Sequence, residues 1–319
     1  MMNRLVLLSV IFTVTTACAQ VKKTSVIGFY NVENLFDTIN DPNKFDEQFL
    51  PEGEYRWTAD RYEDHVKKLA QVMDDMGDIL AMGVAEIENA TVMRDILKER
   101  SSNKLGIVHY ESDDARGVDV GLYYDSTRLS LINSGYIRFK TVTSDNATRD
   151  IIWAKFSYKK VSLYFLVNHW PSRRGGAEES EPNRLKAAEL AANFIDSISV
   201  TDTKAAFIFM GDLNDYPQDA APKMIAKRLT PMISKASGEF GGSYNYRGEW
   251  DVLDHIMVSA SLLCNKKISV VSNSGKILSF PYLMTEYKGK QVPNRVYAGA
   301  KYLGGYSDHL PVQIEVQLK

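Results

Sequence analysis

Cysteine is almost missing from this chain of 319 residues: there are two, and one of them, Cys18, falls in the N-terminal leader. With Cys264 alone in the remainder, no internal disulfide can form and no thiolate cluster is available for a metal. Cys264 follows Leu262-Leu263 and reads as a small core residue. A basic excess is missing too. The formal net charge of −2 excludes holding long nucleic acid by charge alone, so an anionic substrate must be met by local groups in short contacts. No repeat or disordered tract is evident, and 45% hydrophobic with 24% charged residues is the composition of a globular domain with a substantial core.

What is present begins with a leader. Met1-Met2-Asn3-Arg4, then Leu5 to Val14, then Thr15-Thr16-Ala17-Cys18-Ala19-Gln20 gives a charged start, an apolar centre too short to span a bilayer, and small residues, the layout of a secretory signal peptide. Ala17-Cys18-Ala19 offers an A-x-A cleavage site, while Thr15-Thr16-Ala17-Cys18 resembles a bacterial lipobox with Thr in place of the usual aliphatic residue. We therefore expect residues 1–19 to be a signal peptide, with lipid attachment at Cys18 as the alternative to simple cleavage. Residues 20–319, which no linker divides, are expected to form one exported domain in the periplasm, at the outer membrane or outside the cell.

Along that domain, apolar runs end abruptly in short polar side chains. Ser25 to Tyr30 ends in Asn31-Val32-Glu33-Asn34; Ile79 to Ala85 ends in Glu86-Ile87-Glu88-Asn89; Ser162 to Val167 ends in Asn168-His169-Trp170-Pro171-Ser172-Arg173-Arg174; Phe207 to Met210 ends in Gly211-Asp212-Leu213-Asn214-Asp215. These read as buried strands whose exits are loaded with amides, carboxylates and imidazole. Any one of them is also an ordinary polar turn. Two more ligand-rich stretches follow: Asp254-His255 in the strand Val252 to Val258, and Ser307-Asp308-His309 before the alternating strand Val312 to Val316. Helical spacing of apolar residues predicts helices over Asp60 to Met76, Thr91 to Glu99, Asn183 to Ile198 and Pro222 to Arg228. His65 reads as part of a solvated helix face, residues 37–57 as a surface loop, and Asp119 as structural. Adjacent strands without intervening helices, Ile107 through Val167, point to antiparallel or mixed sheets.

Polar turns that select only Asn, Asp, Glu and His at Asn31, Glu86, His169, Asp212, Asn214, Asp308 and His309 are better explained by one shared site. Oxygen ligands without sulfur suit Mg²⁺ or Mn²⁺, an ion that keeps waters and substrate phosphate oxygens in its shell; no two histidines stand at zinc-ligand spacing. Asn168, His169 and Arg173, with Gly175-Gly176 following, suit a phosphate oxyanion.

The ordered set Asn31-x-Glu33, Ala85-Glu86-Ile87-Glu88-Asn89, Asn168-His169, Gly211-Asp212-Leu213-Asn214, Leu253-Asp254-His255-Ile256 and Ser307-Asp308-His309 resembles the endonuclease/exonuclease/phosphatase superfamily over residues 25–317. The resemblance implies an α/β fold, a four-layer α/β/β/α sandwich of two mixed β-sheets flanked by helices, and divalent-metal-dependent hydrolysis of phosphoesters. It implies Glu86 as the main metal ligand with Asn31 and Asp308 beside it. Asp212 and Asn214 are then expected to position water and phosphate, and His309 to contact phosphate while Asp254 keeps it charged. His169 is expected to assist the leaving oxygen. Arg149 matches an arginine that approaches substrate phosphate, or else forms a surface ion pair with Asp150. The leader, the mild acidity and the absence of a long basic loop favour an exported nuclease acting on nucleic acid over a repair enzyme. A phosphatase or a sphingomyelinase-like lipid phosphodiesterase on the same fold, and a silent surface binding module, are the competing readings.

Overall fold

A computed structural model describes residues 24–319 apart from 103 and 145; the leader, including Cys18, lies outside the described residues. The strands of the two large sheets are β1 (Thr24–Leu35), β2 (Ile79–Ile87), β3 (Leu105–His109), β4 (Asp119–Asp125), β5 (Ser130–Ile137), β6 (Ile151–Tyr158), β7 (Val161–His169), β8 (Ala206–Asp212), β9 (Thr230–Pro231), β10 (Asp254–Val258), β11 (Ile268–Val270), β12 (Lys276–Ile277) and β13 (Val312–Leu318). The helices are α1 (Ala59–Asp75), α2 (Ala90–Glu99), α3 (Ala177–Thr201) and α4 (Ala220–Ala226). One sheet runs β11-β13-β1-β2-β4-β3 with β12 beside β13, and the other runs β5-β6-β7-β8-β10-β9. Both are mixed. In each, a single parallel pair forms the centre, β1 with β2 in the first and β7 with β8 in the second, and all other pairings are antiparallel. A parallel pair needs a crossover, and α1 and α3 supply it. The expected four-layer sandwich is what the chain forms.

Strand periodicity explains the layers. In β7 and β8, Phe165, Val167, Ile208 and Met210 belong to the core shared with the first sheet, whereas Tyr164, Leu166, Phe207 and Phe209 pack with α3 and α4. On the far side, Val66, Leu69, Val72 and Met73 of α1 and Val92, Met93, Ile96 and Leu97 of α2 are buried against the first sheet. The buried stripe of α3 is Ala187, Ala188, Ala191 and Ala192 with Ile195, small enough to lie close to the sheet.

Several local expectations change. Helix α3 starts at Ala177, ahead of Asn183, because Ser180 Oγ donates to the Gly176 carbonyl and Arg184 donates to the Ala177 carbonyl, which fastens the extra turns. His65 is not on a solvated face: it is buried, its Nε2 meets the Tyr306 carbonyl at 2.9 Å, and burial lowers its pKa to about 4, so it stands neutral under α1. Cys264 is exposed rather than a core residue, since the turn after Leu263 carries it outward. The 37–57 loop is pinned from within by Trp57, buried and bonded to the Phe36 carbonyl, and by a stack of Phe36, Phe49 and Tyr55.

Gly211 is required by a close approach. A Cβ there would stand 2.3 Å from the Asn168 carbonyl oxygen and 2.7 Å from the Asn168 Cβ, and these are backbone-fixed atoms that cannot swing away. Gly211→Ala is therefore expected to destabilise the fold by about 1–3 kcal/mol, measured as a lower urea midpoint at unchanged m-value.

Candidate active site

The exits of the two parallel pairs meet. Within the second sheet, His169 is paired with Asp212 across β7 and β8, and Asp212 with Asp254 across β8 and β10, so the three side chains form a row on one face. The first sheet supplies Asn31 near the end of β1 and Glu86 near the end of β2. Glu86 sits where the ladder slips, since Ala85 pairs with Val120 and Ile87 with Asp119, and its φ is 64°. A bulge with left-handed backbone turns a side chain out of the pleat's alternation, and here it aims the carboxylate at the second sheet. Asn214, with φ 48°, turns back after β8: its backbone N–H donates to Asp212 Oδ1 at 2.9 Å and its amide donates to the Trp170 carbonyl at 3.1 Å.

Asn31 binds the halves together. Its Nδ2 donates to Glu86 Oε1 at 3.2 Å and to Asp212 Oδ2 at 3.1 Å, and its Oδ1 accepts from the Glu33 N–H. Ser307 Oγ donates to the Asn31 carbonyl at 2.7 Å and in turn accepts from the His309 N–H at 3.0 Å, which seats the C-terminal loop over the site. His309 then points Nδ1 at Asp254 Oδ2, 2.7 Å away, and Nε2 toward Asp212 Oδ2 at 3.7 Å. His169 Nε2 faces the same Asp212 oxygen at 3.6 Å and Glu86 at 3.8 Å.

Burial and charge set the protonation pattern. Burial alone would lower the His309 pKa, but the carboxylates of Asp254 and Asp212 outweigh it and hold the ring well above its ordinary value, as an imidazolium. His169 goes the other way: burial first, then the positive charges of Arg149, Arg116 and His309, push it well below the ordinary value, so it is neutral. Desolvation raises Asp212 to about 7 against the pull of His309. Two histidines of one site thus carry opposite assignments.

The expected residues are therefore brought together, with differences in how each is held. Asn31, Glu86, His169, Asp212, Asn214, Asp254 and His309 converge. Asp308 adjoins His309 but is held by Arg295 at 2.9 Å. Asn168 is fully buried, its amide donating to the Met210 carbonyl and accepting from Trp170 Nε1; it orients the β7 exit. Arg149 is buried and does not pair with Asp150. It donates to the Trp170 carbonyl at 2.8 Å and faces Asp114 at 3.5 Å, while Arg138 takes Asp150. Arg173 is held by Asp219 and lies over the Tyr216 ring. Three contributors had no signal of their own in the chain: Tyr244, whose ring lies tilted against His309 with centroids 4.7 Å apart; Arg295, shared by Asp308 and Glu33; and Arg116, gripped by Asp114. Glu33 anchors the Arg295 segment by accepting from Val296 and Tyr297 N–H, and burial with the nearby Asp308 charge raises it to about 8.

The donor set fits a divalent ion. Glu86, partly exposed, and Asp212, buried, both lean on one neutral amide; a cation relieves the repulsion of two such carboxylates, and the nearby ligand atoms are oxygen or nitrogen. Asp212, Asp254 and His309 also lie within ligand reach of one another. An ion among those three would break the Nδ1 bond between His309 and Asp254, so the Glu86 and Asn31 side is the better seat.

A family model for the endonuclease/exonuclease/phosphatase family matches residues 26–318, and the chain belongs to that family, whose members are phosphoester hydrolases built around divalent-metal sites. No curated protein sequence matches it. Among solved structures, a mannosyl-6-phosphatase from Bacteroides thetaiotaomicron is 15% identical, with TM-score 0.59, covering 92% of this chain and 99% of its own. D. rerio TDP2 complexed with single-strand DNA product is 15% identical, with TM-score 0.58 over 92% and 99% of the two chains. The human Nocturnin catalytic domain is 15% identical, with TM-score 0.56 over 93% and 95%. These likenesses are of fold.

Since the Asp254 carboxylate is the chief group that keeps His309 charged, Asp254→Asn is expected to lower the His309 pKa. The ring then loses its proton at a lower pH than in the wild type, a shift read directly by NMR titration of the imidazole.

Proposed function

We propose that the protein is a Mg²⁺- or Mn²⁺-dependent phosphodiesterase, acting as an exported endonuclease on nucleic acid in the envelope or outside the cell. The observation that carries this reading is the His309 imidazolium, clamped by Asp254 and facing Asp212 beside the Glu86 and Asn31 donors. A phosphate seated there meets a fixed positive charge on one side and a buried base on the other. Asp212, poised near neutral pH, accepts the proton of the attacking water, since proton transfer is most effective when the base titrates near working pH. Asn214 positions that carboxylate through its N–H. The His309 Nε2–H donates to the phosphoryl oxygen on which charge develops, and a donor already buried and held by Asp254 needs no reorganisation during the reaction. Neutral His169 stands ready to hydrogen-bond the departing oxygen. Glu86, with Asn31, would hold the divalent ion, which when bound supplies electrostatic stabilisation of the phosphoryl charge.

Support for nucleic acid comes from the hairpin of Tyr244–Tyr246 with Glu249–Asp251. Tyr244 forms a bridge to His309, and two residues on, Tyr246 is exposed with Arg247 over its ring. An exposed aromatic ring with a neighbouring guanidinium beside a phosphate site suits base stacking and backbone contact in short single-stranded segments. The leader and Cys18 support export with lipid attachment. A phosphomonoester would be met by the same His309 and Asp212 geometry, so both ester classes belong in the assay.

Purified protein with Mg²⁺ or Mn²⁺ should cleave plasmid DNA, RNA or bis-p-nitrophenyl phosphate, and EDTA should stop it. Glu86→Gln and His309→Ala are each expected to lower kcat at least 10²-fold with folding retained by circular dichroism. Turnover of p-nitrophenyl phosphate or sphingomyelin alone would move the assignment to a phosphatase or a lipid phosphodiesterase. Activity that ignores both EDTA and these substitutions would sink it.

A further inference from the structure

The β3 and β4 hairpin carries a second group of ligand-type side chains that the active site leaves unused. His109 closes β3, Glu111 follows two residues later, and Asp119 opens β4. One nitrogen or oxygen from each lies within 4.8 Å of the others. The side chains of His109 and Asp119 are 5% and 2% exposed, while Glu111 at 58% closes the group from the solvent side. His109 Nε2 and Asp119 Oδ2 face each other at 3.3 Å, yet neither has a hydrogen-bond partner. Buried polar atoms are seldom left in that state. The carboxylate cannot simply turn to another donor, because its Oδ1 is fixed by the Ser112 N–H at 3.0 Å. Glu111 Oε1 stands 3.8 Å from the other ring nitrogen of His109, so this end of the hairpin gathers two carboxylates around one imidazole.

Two ligands each about 2.0–2.1 Å from a tetrahedral ion stand about 3.3–3.4 Å apart, which is the separation of the two orphaned atoms. We infer that His109, Asp119 and Glu111 form a second divalent-cation site of Zn²⁺ type, distinct from the catalytic centre. The imidazole selects a borderline transition metal over Mg²⁺, which prefers oxygen alone. The consequence reaches the active site through the loop that the ligands enclose. Residues 110–118 carry Asp114, which grips Arg116 and faces Arg149, and Arg149 holds the Trp170 carbonyl beside Asn214. An ion joining His109 to Asp119 fastens the base of that loop.

The test separates this site from the catalytic one by working in the Glu86→Gln background. The protein is loaded with Zn²⁺, desalted and assayed for metal content, and its thermal midpoint is measured with and without Zn²⁺. The parent should retain Zn²⁺ and melt higher with it. Adding Asp119→Asn or His109→Gln should remove one equivalent per chain and abolish the thermal shift. Glu111→Gln, an exposed change that leaves the buried pair in place, should weaken retention by about 10- to 100-fold and keeps the test decisive if either buried variant fails to fold. A parent that holds no Zn²⁺, or a Zn²⁺ content and melting shift that are the same in parent and variants, would overturn the inference.

Discussion

The hydrogen bonds from Asn31 Nδ2 to Glu86 and Asp212 are the point on which this structure turns. Asp212 lies 181 positions further along the chain and belongs to the other sheet, so one amide couples the exits of both parallel pairs. Around it the sheets gather polar groups of which Asp212, Asp254, His169 and His309 are buried, and burying carboxylates is costly unless hydrogen bonds and counter-charges accompany them. The fold meets that cost with His309 as a resident cation and with the Ser307 link that ties the C-terminal loop to β1. The arrangement of the candidate site and the closure of the sandwich are therefore the same set of contacts.

From this follows the asymmetry of the two histidines. Both are buried, and burial disfavours the charged ring in each; His309 stays charged because the Asp254 and Asp212 carboxylates outweigh that, while at His169 the charges of Arg149 and Arg116 add to it. The proposed phosphoester hydrolysis calls for one fixed donor and one group that can change state. Here the division is made by neighbours, not by residue type. The outer supports extend the same logic: Glu33 holds the Arg295 segment, and Arg295 holds Asp308.

Much of this was legible along the chain. Apolar runs stopping in Asn31, Glu86, Asn168-His169 and Asp212 located the strand exits, because period-two alternation and turn chemistry are local properties. Asp254 and His255, successive residues of one strand, point to opposite faces by the same alternation: Asp254 reaches His309, and His255 meets the Asp215 carbonyl. Residues whose partners are remote were not legible. Arg149 had two readings, a contact to substrate phosphate or a surface ion pair with its neighbour Asp150; the ion pair is not formed, and the side chain lies buried against Asp114 and Trp170. His65 looked solvent-facing by helical position, yet the segment bearing Tyr306 covers it, some 241 residues away. Tyr244, Arg116 and Arg295 carried no motif at all.

What the sequence determined by itself was the set of elements, the mixed sheets and the family of chemistry, since these rest on periodicity, on strand endings and on the order of short motifs. What only the tertiary structure decided was the state and aim of each group. The bulge that directs Glu86, the 2.7 Å bond that keeps His309 protonated, the amide that joins Glu86 to Asp212 and the unmet pair His109 and Asp119 all depend on which distant segments are packed together. Protonation and ligand geometry respond to the field and burial that those segments create, and no local stretch of chain contains that field.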